Sequence, residues 1–134
     1  MAVVGSESLE ILSSDDVVRV RQIVRDAAVS LGFSIVDQTK LVTAASELAR
    51  NTFHYGGGGR FRADVLNNDH RHGLRLVFED DGPGIADIQQ ALSDGFTTGA
   101  GLGMGLGGAR RLVNDFEIDS RPGAGTRIAA TRWR

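Results

Sequence analysis

The chain contains no cysteine, which excludes disulfides and thiolate metal sites. Lys40 is its only lysine, so a Walker-type loop, which needs a lysine after its glycines, has no candidate. No apolar run approaches the length of a membrane span. The opening Met1-Ala2-Val3-Val4-Gly5 has neither a basic region nor a long apolar stretch, so no signal peptide is expected. The formal net charge of −2 argues against a nucleic-acid or membrane partner. The expectation is a soluble cytoplasmic domain, with residues 1–134 forming a single unit around one core.

Glycine, by contrast, is abundant and concentrated. Glu79-Asp80-Asp81-Gly82-Pro83-Gly84-Ile85 follows an alternating apolar run, and a second cluster extends from Gly99 to Gly108. Glycines at every second position do not build a core. They cost backbone entropy, and a positive φ or a close approach of backbone to a ligand justifies that cost.

Periodicity places the rest. Ser8–Leu12 is a short strand candidate, followed by a helix capped by Asp15 or Asp16, with Val17, Val20, Ile23, Val24, Ala27, Ala28 and Leu31 on one stripe, ending at Gly32. A second helix is predicted from about Asp37 to His54, its core face made by Leu41, Val42, Ala45, Leu48, Ala49 and Phe53. Strands follow at Arg60–Leu66 and Gly73–Glu79, joined by a turn at Asn67-Asn68-Asp69. Short helices are predicted at Asp87–Leu92 and Gly105–Asn114, and terminal strands at Phe116–Ser120 and Thr126–Trp133. This order suggests an α+β fold, a two-layer sandwich with a mixed, mostly antiparallel sheet covered on one face by helices.

Four groups of residues can carry chemistry. On the second helix Lys40, Ala44, Glu47, Asn51 and His54 share a stripe, which also fits a plain solvated face. Glu47 and Asn51 are four apart and reach the same region. An amide oxygen suits Mg²⁺, and a neighbouring carboxylate can accept a proton from an attacking hydroxyl. Asp80, at a strand end, can accept a hydrogen bond from an exocyclic amino group such as that of adenine, with Gly82 and Gly84 letting backbone approach a flat base. The same residues also suit a tight turn. The amides of the Gly99–Gly108 run can cradle anionic oxygens, aided by the positive end of the following helix. Gly103-x-Gly105-x-x-Gly108 matches a dinucleotide fingerprint, but Phe96-Thr97-Thr98-Gly99-Ala100 is not the strand that fingerprint requires. Before the terminal strand, Gly123-Ala124-Gly125-Thr126 reads as a hairpin turn in which Thr126 can fix a carboxylate or a water.

Taken together, Glu47-x-x-x-Asn51, Asp80-x-Gly82-x-Gly84, the Gly-x-Gly run and Gly-x-Gly-Thr126 resemble the GHKL ATPase/kinase superfamily with its Bergerat fold. Within it the chain is similar to the RsbT-like serine kinases of anti-sigma regulatory type. The likeness covers nearly the whole chain and includes Val36–Gln38, Ser46–Asn51, Asp80–Ile85, Asp94–Thr98, Gly101–Leu106 and Arg111–Phe116. It implies Glu47 as catalytic base, Asn51 as Mg²⁺ ligand and Asp80 as reader of the adenine amino group. It places Gly82, Gly84, Ile85, Thr98, Gly101, Leu102, Gly103, Met104, Gly105, Leu106 and Thr126 around ATP. The implied substrate is a serine on a small STAS-domain antagonist in a partner-switching stress circuit, with a downstream phosphatase regulator as a further partner. A non-catalytic sequestering module, a histidine-kinase catalytic domain and a water-using ATPase are the rivals. Asp94–Gly105 is expected to act as a lid over the phosphates.

Overall fold

The computed structural model describes residues 2–93 and 105–134. Thr98, Gly101, Leu102, Gly103 and Met104, and all of the expected lid except Gly105, lie outside the described residues.

Five strands form one sheet. β1 (Ala2–Ile11), β2 (Gly59–Asn68), β3 (Arg71–Asp80), β4 (Asp115–Ser120) and β5 (Thr126–Trp133) lie in the order β1-β2-β3-β5-β4, and all four pairings are antiparallel. β1 starts six residues earlier than the alternation in the sequence suggests. It is an edge strand, exposed along most of its length, so burial does not impose a pattern on its first half. The β2–β3 turn is tighter than expected. Asn67 and Asn68 remain paired in β2, and Asp69, at φ 54°, makes the reversal with His70.

Helices α1 (Ser14–Ser30) and α2 (Ile35–His54) start before the aspartates expected to lead them. Ser13 caps α1, and Asp16 sits at the third helical position. Its carboxylate accepts from the Leu12 and Ser13 amides at 2.8 and 3.1 Å. Ser34 caps α2 and its hydroxyl accepts from the Asp37 amide at 3.1 Å. A caps-first reading mistakes the acidic third residue for the cap itself.

α3 (Ile88–Ala91) and α4 (Gly105–Arg111) are short. α4 stops three residues before Asn114 because the chain there already joins the sheet: the Asn114 amide donates to Thr131 O at 2.9 Å.

Val17, Val20, Val24 and Ala28 of α1 and Leu41, Ala45 and Leu48 of α2 pack on the alternate residues Phe61, Ala63, Leu74, Leu76, Phe78, Ile128 and Ala130 of the sheet. Only one sheet face enters this cluster, as the two-layer reading requires. Burying a large aliphatic or aromatic side chain in it contributes about 1.5–3 kcal/mol each.

The other face is covered by its own side chains. Asp64 is buried there and accepts from Ser6 Oγ at 2.7 Å, Arg62 Nε at 2.9 Å and Arg75 Nη2 at 2.9 Å, tying β1, β2 and β3 together. Burial pushes its carboxyl up, but the bonds from Arg62, Ser6 and Arg75 more than offset this and hold it below the usual value. A depressed carboxyl stabilises the fold above its unfolded pKa and loses that contribution as pH falls through the folded one. Asp64→Ala is expected to cost about 2–3 kcal/mol in urea unfolding at neutral pH, since it strands two guanidinium groups. The difference from the unsubstituted protein should shrink below about pH 4.

Candidate nucleotide site

Asp80 is the last residue of β3 and lies opposite Thr126, the first of β5. Its carboxylate is buried. Oδ1 accepts from the Gly82 amide at 2.9 Å, and the Thr126 main chain lies on the paired strand beside it. Burial is the largest influence and raises the Asp80 carboxyl above its ordinary value. Asp81 adds to the rise, and the main chain of Gly82 and Thr126 counters it.

The wall beside it comes from the end of α2. The Gly56 amide donates to Asn51 O and Thr52 O at 3.3 and 3.1 Å, which continues the helical turn and lays Gly56 against Asp80. A Cβ on Gly56 would stand 2.4 Å from Asp80 Cγ, and one on Gly82 would stand 2.7 Å from Gly56 Cα. The sequence showed four consecutive glycines here without marking which one the site needs. Gly56→Ala is expected to displace the Asp80 carboxylate and weaken ATP binding by roughly tenfold or more, about 1.4 kcal/mol per decade, as read by titration calorimetry.

Gly84 and Gly125 have a different basis. Gly84, at φ 75°, faces Arg121 O, where a Cβ would stand at 2.0 Å. Gly125, at φ 80°, faces Asp80 O at 2.1 Å. The Gly123 amide donates to Pro83 O at 2.7 Å. The side of Gly84 on which a Cβ would project is therefore occupied by the protein's own turn, so only glycine fits there. Ser120, which the sequence reading passed over, fastens the same region. Its Oγ accepts from the Ile85 amide at 2.8 Å and lies 3.0 Å from Gly125 O and 2.8 Å from Thr126 Oγ1. The signal was a small hydroxyl residue at the end of one strand of a hairpin, opposite a threonine at the start of the next. Thr126 thus meets Asp80 through its main chain and Ser120 through its hydroxyl.

Glu47 and Asn51 lie one turn apart on α2. The stripe they share, which also fitted a solvated face, is half-buried at Lys40, Glu47 and Asn51, fully buried at Ala44 and exposed at His54. The Glu47 side chain is 12% exposed, and Arg50 Nη2 donates to its Oε1. The Asn51 side chain has no hydrogen-bond partner among the described residues. A free hard oxygen beside one carboxylate fits Mg²⁺, which keeps most of its waters. Gly105, at φ 67°, opens α4, while Leu106 turns into the core at 5% exposure, leaving only its backbone for a ligand. A cavity of about 370 Å³ lies on the helix-free face, lined by Arg75, Glu117, Arg127 and Trp133 among others. None of the expected site residues lines it, so its size does not make it the nucleotide site.

Residues 36–133 match the family described as histidine kinase-, DNA gyrase B- and HSP90-like ATPases. The chain belongs to this family. Among relatives of this ATPase family member, the serine/threonine-protein kinase RsbT of Bacillus subtilis (strain 168) is 43% identical over 125 residues, 93% of this chain and 94% of RsbT. An anti-sigma F factor of Bacillus licheniformis is 34% identical over 101 residues, covering 70% of this chain and 68% of that factor. Among solved structures, the RsbU and RsbW domains of a Mycobacterium tuberculosis protein align with a TM-score of 0.64 at 20% identity, over 97% of this chain and 33% of that one. The mycobacterial sensor histidine kinase MprB aligns at 0.58 and 20%, over 96% and 97%. These structural likenesses place the ATPase fold.

Proposed function

We propose that this chain is an ATP-dependent protein serine kinase whose substrate is a small STAS-domain antagonist in a partner-switching circuit governing a stress response or a sigma factor. The observation that carries the kinase reading is the 43% identity to RsbT over 93% of the chain. The buried Asp80 carboxylate supports adenine recognition, because an acceptor held at a strand end suits an exocyclic amine. Glu47 is proposed as the base that takes the serine proton, and Asn51 as the residue that holds Mg²⁺ through its amide oxygen. Mg²⁺ would draw negative charge from the phosphates. Gly82, Ile85, Gly105 and Thr126 shape the nucleotide side through backbone. Residues 1–134 act as one domain, in the cytoplasm, with a phosphatase regulator as a second partner. Among the described residues no helix is long and apolar enough to cross a membrane.

The test is transfer of labelled phosphate from γ-labelled ATP to a purified STAS-domain protein, followed by phosphoamino-acid analysis. Phosphoserine that depends on Glu47 is the expected result. The anti-sigma F relatives favour a second reading, a nucleotide-dependent sequestering module. It predicts a stable ATP-dependent complex without labelled product.

A further inference from the structure

Arg50 grips Glu47 from the side away from the core. At roughly 100° per residue, Asn51 turns from Glu47 toward the buried face of α2, and Arg50 turns the other way. Exposure follows that geometry: the Arg50 side chain is 39% exposed and that of Glu47 is 12%. Anything that arrives at Glu47 from solvent on this side meets the guanidinium first. The grip itself is incomplete. Arg50 Nη2 donates to Glu47 Oε1, but Arg50 Nε is buried and has no acceptor among the described residues. A guanidinium has five donors in a planar fork and readily exchanges one anionic partner for another that satisfies more of them.

We propose that Arg50 is a latch on Glu47: it occupies the carboxylate and keeps it from activating water while no protein acceptor is docked. An acceptor that covers this end of the pair and offers the guanidinium an anionic group frees Glu47 for the serine hydroxyl. The proposal rests on the kinase reading above and adds the regulation of that site. It makes Arg50 a positioning residue that acts through Glu47. With the latch removed, the expected side reaction is hydrolysis. Glu47 takes a proton from water, the water oxygen bonds to the γ-phosphorus, and the bond to the β–γ bridging oxygen breaks. ADP and inorganic phosphate leave, and the proton passes from Glu47 to solvent.

The experiment uses the full chain with ATP and Mg²⁺ and no acceptor, measuring phosphate release and, by calorimetry, ATP affinity. Arg50→Gln and Arg50→Ala are each expected to raise kcat for phosphate release about tenfold or more, within the range one general base commands. KM and ATP affinity should stay within about twofold, because the latch does not touch the nucleotide. Arg50→Gln combined with Glu47→Gln should fall back to the level of Glu47→Gln alone. A purely structural role for Arg50 would lower activity and affinity together. The latch is overturned if both Arg50 variants bind ATP normally and hydrolyse it no faster than the unsubstituted chain, or if the gain survives loss of Glu47. Either result, with phosphate transfer to a STAS-domain acceptor intact, removes the latch and leaves the kinase reading standing. Absence of both ATP binding and transfer in the unsubstituted chain overturns the kinase reading and the latch with it.

Discussion

Glu47→Ala should bind ATP as well as the unsubstituted chain and lose phosphoryl transfer by about 10²–10⁴. Glu47 is 12% exposed on a helix whose opposite face is core, so truncating it leaves the packing in place. Its partner Arg50 is partly exposed and can turn to water, which limits the stability change to about 1 kcal/mol. Part of the loss in rate can come from a misplaced acceptor, since phosphoryl transfer depends heavily on positioning. Asn51→Ala should behave differently, weakening Mg²⁺-dependent nucleotide binding as well as transfer. Single-turnover transfer measured beside calorimetric affinity separates the two. Full kinase activity in Glu47→Ala would remove the base and return its stripe of α2 to an ordinary surface.

Asp80→Asn should weaken ATP binding by roughly ten- to a hundredfold, the loss of one charge-assisted hydrogen bond worth about 1.5–3 kcal/mol. GTP should bind poorly to the unsubstituted protein, because its six-position presents an acceptor to an acceptor. The raised carboxyl of Asp80 gives this prediction a pH signature. Protonation enters at a higher pH than for an ordinary aspartate, so ATP affinity should begin to fall while exposed carboxylates are still ionised. Stability responds in the opposite sense. A carboxyl raised by the fold contributes stability that is fully present below its unfolded pKa and is lost as pH rises through the folded one. At neutral pH the buried charge is therefore a cost, and Asp80→Asn should melt no lower than the unsubstituted chain while failing to hold nucleotide. Thermal denaturation by circular dichroism checks the first half and calorimetry the second. A large drop in melting temperature with affinity retained would reverse the assignment of Asp80 from ligand reader to structural acid.

The helices were legible because their apolar residues recur at helical spacing against one core. Their starts were less so, since Asp16 and Asp37 serve the third position of caps that Ser13 and Ser34 provide. β1 was half legible, because burial writes a pattern only where Leu9 and Ile11 approach the core. At the candidate site, spacing put Glu47 and Asn51 one turn apart on a helix and Asp80 at a strand end, and the family resemblance supplied the roles proposed for them. Gly56 and Ser120 could not be singled out, since their meaning depends on Asp80 and Ile85, which are 24 and 35 positions away and adjacent only after folding. The partnership of Arg50 with Glu47 was hidden for another reason. A basic residue three positions from an acid on a helix is common, and only burial shows that this pair sits at the edge of the site.

The turn from Ser120 to Gly125, exposed at 121–124, is bound to the segment from Asp80 to Ile85 at four points: Gly123 to Pro83, Ser120 to Ile85, and the two close approaches at Gly84 and Gly125. Surface turns ordinarily drift freely in length and composition as proteins diverge. This one should not. An insertion or a bulky residue there would move the Asp80 loop with it, so the two segments are expected to change together or not at all across relatives that still hold nucleotide. A library randomised at 121–125 and selected only for folding should accept far more sequences than the same library selected for ATP retention.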